Sequence, residues 1–135
     1  VVELIKQSAG PKVRNYIFDS EIVAFDPHTE RILPFQTLAT RGRKNVDKNQ
    51  IEVKVCLFIF DLLYLNDEPL IKEPLQRRRE YLRENFHEVD NKLKFAEHLD
   101  TDSFEGVESY LNLSVKMGCE GLMVKTLDKE ADYEP

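Results

Sequence analysis

The chain has 135 residues, with 41% hydrophobic and 33% charged, and includes five glycines, six prolines, two cysteines and no tryptophan. That balance suits one compact domain or part of one and excludes disordered, collagen-like and coiled-coil chains, because apolar runs such as residues 55–60 supply core material. Nineteen basic against twenty-five acidic residues leave a formal net charge of −6, which disfavours stand-alone binding to a polyanion.

No stretch approaches the roughly 20 apolar residues that cross a bilayer, and Val1-Val2-Glu3-Leu4-Ile5-Lys6 lacks signal-peptide architecture, so no membrane partner is expected. Both ends are abrupt, which makes the chain read as a fragment, and no Gly/Ser-rich linker or repeat marks an internal boundary. Residues 15–26 are rich in β-branched and aromatic side chains and predict a strand, which Asp26-Pro27-His28-Thr29-Glu30 turns back in a hairpin-like return. Further on, Arg41, Arg43, Lys44 and Lys48 fall within eight residues that hold one acid, Asp47, a composition suited to a phosphate-facing loop or to a solvated basic one.

Residues 53–64 predict a second strand, buried on both faces, and the eleven residues from Val55 to Leu65 are interrupted by a single polar residue, Asp61. Leu65-Asn66-Asp67-Glu68 ends it in a turn, and Pro74 opens a helix to about residue 86 with Leu75, Leu82 and Phe86 inward and Arg77, Arg78, Arg79 and Arg83 mostly outward. After a short strand at 93–96, Asp102-Ser103-Phe104-Glu105 resembles a capping box for a helix carrying Phe104, Val107, Leu111 and Val115 on one stripe and ending at Gly118. Residues 120–126 predict a last strand, with Met117 and Met123 in the core. The hairpin signals favour an α+β fold of mostly antiparallel sheets flanked by helices.

Three acids stand out. Glu21 interrupts a strand with apolar residues on both faces, Asp61 lies in the longest apolar run, and Glu120 precedes Gly121 at the mouth of a strand. A buried carboxylate needs a cation, a metal or hydrogen-bond donors, and carboxylates at neighbouring strand ends can hold Mg²⁺ against substrate phosphates, with Lys125 on a second phosphate oxygen. Taken singly, the same residues fit a sheet edge, a turn cap and a surface pair. Cys56 and Cys119 lie in unlike contexts and read as packing thiols, and His28, His87 and His98 share no metal-site spacing.

The order of Phe18-Asp19-Ser20-Glu21, Phe60-Asp61-Leu62-Leu63-Tyr64-Leu65-Asn66 and Glu120-Gly121-Leu122-Met123-Val124-Lys125 resembles motifs III, IIIa and IV of the covalent nucleotidyltransferases. Together with Leu33-Pro34-Phe35-Gln36-Thr37-Leu38 and Thr40-Arg41-Gly42-Arg43-Lys44, the whole chain is similar to eukaryotic ATP-dependent DNA ligases of the replicative type. The resemblance implies part of an ATP-grasp-like adenylation domain over residues 1–135. The parent would be a nuclear enzyme that seals nicks in duplex DNA, with the remaining ligase domains in cis and ATP and Mg²⁺ as cofactors. It further implies that Glu21 and Glu120 are metal and nucleotide carboxylates, that Phe60 stacks on adenine, that Lys125 lies near the phosphates, and that Arg41, Arg43 and Lys44 face DNA. Asp61 would organise the pocket.

Two departures bear on mechanism. Motif III often reads Asp-Gly-Glu and here reads Asp19-Ser20-Glu21, and neither the Lys-x-Asp-Gly nucleophile motif nor a Lys-x-Lys motif V after motif IV occurs. Lys92-Leu93-Lys94 precedes motif IV and is no substitute. The chain alone is therefore expected not to ligate. The alternatives are a related RNA ligase or mRNA-capping guanylyltransferase, a non-catalytic interaction module with an acidic surface, and a two-carboxylate glycosidase, which the missing tryptophan platform disfavours.

Overall fold

A computed structural model describes residues 1–34, 36–39 and 54–134. The elements run α1 (Val2–Ser8), β1 (Tyr16–Asp26), β2 (Arg31–Ile32), α2 (Gln36–Ala39), β3 (Val55–Leu65), β4 (Glu68–Pro69), α3 (Leu75–Asn85), β5 (Leu93–Phe95) and α4 (Phe104–Lys116). The strand order is β2-β1-β3-β4, with β5 pairing β3 in parallel and the two hairpins antiparallel. The expected mixed α+β architecture with helices and antiparallel strands is what forms. Residues 40–53, which include Arg41, Arg43 and Lys44, lie outside the described residues.

The chain forms two compact units: Val1–Glu21, Leu57–Ala96 and Val124–Pro135 make the first, Ile22–Cys56 and Glu97–Met123 the second. The division falls within β1 and β3, so no linker composition announces it.

In the first unit β3 behaves as a central strand should: none of its residues is exposed. Leu57, Ile59, Leu62 and Leu65 join Ile5, Leu70, Leu82, Phe86 and Leu93 in the core. Tyr16 and Phe18 close over it by ring packing, with Phe18 edge-on to Phe86 at 4.8 Å and Tyr16 at 5.5 Å. The turn after β3 is a two-residue hairpin, Leu65 facing Glu68, with Asn66 and Asp67 both at positive φ (49° and 69°) as a primed turn requires. Asn and Asp tolerate that region, and here Arg14 and Asn15 lock it through bonds of 2.8 Å each to the Asp67 carboxylate.

Helix α3 buries Leu75 and Leu82 as its spacing predicts, and Phe86, just past its end, is buried too. The arginine run does not all face outward. Arg77 is exposed, paired with Glu80 and stacked over Tyr81 at 4.4 Å, whereas Arg78 is only 2% exposed. Leu75, Arg78 and Leu82 follow one another at steps of three and four, the interval that keeps side chains on one helix face, so Arg78 belongs to the inner stripe.

In the second unit Asp26 stabilises the β1–β2 turn by accepting from the His28 amide and the Thr29 hydroxyl, bonds that hold its carboxyl below the usual carboxylate range. Ser103 caps α4, accepting from the Gly106 amide at 3.0 Å, and Gly118 ends it at φ +92°, where a Cβ would meet the Ile32 carbonyl oxygen at 2.6 Å. Of the apolar stripe, Phe104 is 77% exposed, Leu111 and Val115 are exposed too and Val107 is half-buried, leaving Ser114 as the buried residue of α4. Met117 is half-buried.

Residues 120–126 do not form a strand. Met123 and Val124 are exposed rather than core residues. A strand needs a neighbour to satisfy its amides and carbonyls, and no described strand pairs with this segment. Cys56 is buried and Cys119 half-buried, and neither is in a disulfide.

Candidate functional site

Glu21, Phe60 and Lys125 belong to the first unit and Glu120 to the second. Glu21 lies mid-strand on β1 and is exposed, as are its neighbours Ser20 and Ile22. The buried, unpaired carboxylate that its apolar surroundings suggested is thus not its situation: the residue is exposed, and no described side chain bonds to it. Glu120 and Lys125 are likewise exposed. Among the described residues no group of three or more His, Cys, Asp or Glu side chains forms a metal cage. Each of Glu21 and Glu120, taken within its own unit, offers exposed carboxylate oxygens of the kind Mg²⁺ takes alongside water and substrate phosphates.

Phe60 alternates with Ile59 along β3. Ile59 is buried in the core, whereas Phe60 stands outside the core cluster and is half-buried. The strand bearing it is anchored one residue later. Asp61 is buried and takes a bidentate ion pair from Arg78, Nε to Oδ1 and the second terminal nitrogen to Oδ2, each 2.8 Å, while its Oδ1 also accepts the Leu62 amide at 2.9 Å. This answers the question Asp61 poses: its counter-charge is an arginine of α3.

The arginine's remaining donor nitrogen reaches the carbonyls of Glu73 and Ala131. That brings in the segment after residue 126, where the Tyr133 hydroxyl donates to Asp19 Oδ2 at 3.2 Å. Partial desolvation, and then the Asp19 carboxylate, raise the Tyr133 phenol above its ordinary value of 10.0, so it remains a donor throughout the neutral range. Neither Arg78 nor Tyr133 was expected here. The helical spacing of Arg78 carried the signal; for Tyr133, 114 positions from Asp19, the sequence held none.

The ATP dependent DNA ligase domain family matches residues 1–135. The chain belongs to that family. It is 55% identical over 122 residues to DNA ligase 1 of Drosophila melanogaster, covering 90% of this chain and 16% of that protein. With DNA ligase 1 of Dictyostelium discoideum it shares 49% identity over 135 residues, 100% of this chain and 11% of that one. Among solved structures, the ligase domain of M. tuberculosis LigD superposes with a TM-score of 0.60 at 28% identity, over 89% of this chain and 33% of that one. This ligase-domain chain therefore spans about a sixth or less of the length of these curated relatives.

Proposed function

We propose that the chain is the central and later part of the adenylation domain of a nuclear ATP-dependent DNA ligase of the DNA ligase 1 type, which seals nicks during replication and repair. The observation that supports this reading is the match of a DNA ligase family to the whole chain, in which half-buried Phe60 stands outside the core next to Asp61, itself held by Arg78. The ring supplies a stacking shelf for adenine, a contact worth about 1 to 3 kcal/mol where base–aromatic stacking has been measured.

In the parent enzyme a lysine outside this chain attacks the ATP α-phosphate and releases pyrophosphate, the AMP passes to the 5′-phosphate of a nick, and the 3′-hydroxyl displaces it. This chain's part is to bind and orient. Phe60 holds the base, Glu21 and Glu120 offer carboxylate oxygens to Mg²⁺, and Lys125 neutralises phosphate charge. Bound Mg²⁺ supplies charge stabilisation at the phosphate oxygens. Arg41, Arg43 and Lys44, which lie outside the described residues, are assigned to DNA contact by the family resemblance alone.

Single-turnover nick sealing by the full-length enzyme tests the assignment. Glu120→Ala is expected to slow phosphoryl transfer at least tenfold, about 1.4 kcal/mol of barrier, with little change in thermal midpoint. An unchanged rate would remove Glu120 from the site. The chain alone, given labelled ATP and Mg²⁺, is expected to form no lysyl-AMP.

A further inference from the structure

We infer that Arg78 and Tyr133 are positioning residues, which brace the two strand positions bearing Phe60 and Glu21 through the contacts Asp61–Arg78–Tyr133–Asp19. The inference rests on the nucleotide site proposed above and adds to it two residues that touch neither base nor phosphate. Each half of the brace is anchored next to one of the site's groups. Asp61 follows Phe60 directly, and Asp19 lies two positions before Glu21, the spacing that returns a strand side chain to the same face.

The middle of the brace is built for direction rather than for strength. The side chains of Arg78 and Asp61 are 3% and 0% exposed, and a buried ion pair of this kind contributes little more stability than apolar residues of the same volume. A planar guanidinium held at both carboxylate oxygens, however, fixes the rotation of Asp61, the residue directly after Phe60 on β3. The same guanidinium bonds the Ala131 carbonyl at 2.8 Å and lies 5.9 Å from the centre of the Tyr133 ring. Tyr133 is held in turn by its amide, which donates to the Ile71 carbonyl at 2.9 Å, so its hydroxyl meets Asp19 from a fixed base. Residues 127–133 thus strap α3 to β1: the Gln76 amide bonds Leu127 and Lys72 pairs with Asp132 as well.

The test is the ATP dependence of self-adenylation in the full-length ligase, with Glu21→Gln, Phe60→Leu, Tyr133→Phe and Arg78→Lys. Tyr133→Phe keeps the ring and removes only the hydroxyl. It is expected to lower kcat/KM for ATP about fivefold while the thermal midpoint stays within about 1 °C, and to have no further effect in the Glu21→Gln background, because neighbours acting through one contact are non-additive. Arg78→Lys keeps the charge but not the fork, and is expected to leave the loss unrescued wherever it folds. Wild-type kcat/KM in Tyr133→Phe, or full additivity with Glu21→Gln, overturns the brace while the nucleotide site stands. Wild-type ATP dependence in both Glu21→Gln and Phe60→Leu overturns the site and the brace together.

Discussion

Helices α3 and α4 carry comparable sequence signals and meet different fates. Both show apolar residues at helical spacing and a recognisable start, yet Leu75, Leu82 and Phe86 of the α3 region are buried while Phe104, Leu111 and Val115 of α4 are exposed. Periodicity establishes that a helix forms and which side of it is apolar; whether that side is covered depends on what else the chain brings to it. In the first unit β3, β5 and α1 supply that cover around α3.

The contrast can be broken by substitution. The largest effect is expected from Arg78→Ala, which strands the Asp61 carboxylate in the interior and should cost about 3 to 5 kcal/mol in urea unfolding of the chain. Next, Leu82→Ala should cost about 2 to 5 kcal/mol, whereas Leu111→Ala on the exposed stripe of α4 should stay within about 0.5 to 1 kcal/mol. Equal losses at the two leucines would show that α4 is as well packed as α3. Ser103→Ala removes the single side-chain cap seen on α4 and should cost about 1 kcal/mol, read as reduced helix content on warming.

The smallest effect is electrostatic. Arg14 and Asn15 hold the Asp67 carboxyl below its ordinary 3.8, so its contribution is present above that pH and is lost as pH falls through the lower folded value. Asp67→Asn should therefore flatten the acid limb of a stability profile taken below about pH 4, with no change in slope near neutrality.

Much of this was legible. The β1–β2 return, the Asn66-Asp67 turn, the start of α3 at Pro74, the Ser103 cap and the Gly118 stop all rest on local chemistry, which a few adjacent residues determine. The misses share a different cause. Helical spacing puts Arg78 on the inner face of α3, but its pairing with Asp61, 17 positions away, and that of Tyr133 with Asp19, across 114, are not written in local spacing. Residues 120–126 have strand composition but no described strand to pair with, and α1 is a seven-residue helix without a side-chain cap, anchored by Ile5 rather than announced by its ends. In the site itself, the residue pattern singled out Glu21, Asp61 and Glu120 and the family resemblance added Phe60, yet the pattern suggested burial for Glu21, which is exposed, and left open the partner of Asp61.

The most direct measurement is the ATP concentration giving half-maximal self-adenylation in the full-length ligase carrying Phe60→Leu, which keeps apolar volume and removes the aromatic face. A rise of about tenfold or more is expected from the loss of base stacking. An ATP dependence indistinguishable from that of the unaltered enzyme would contradict the account, because it would mean that no purine rests on that ring.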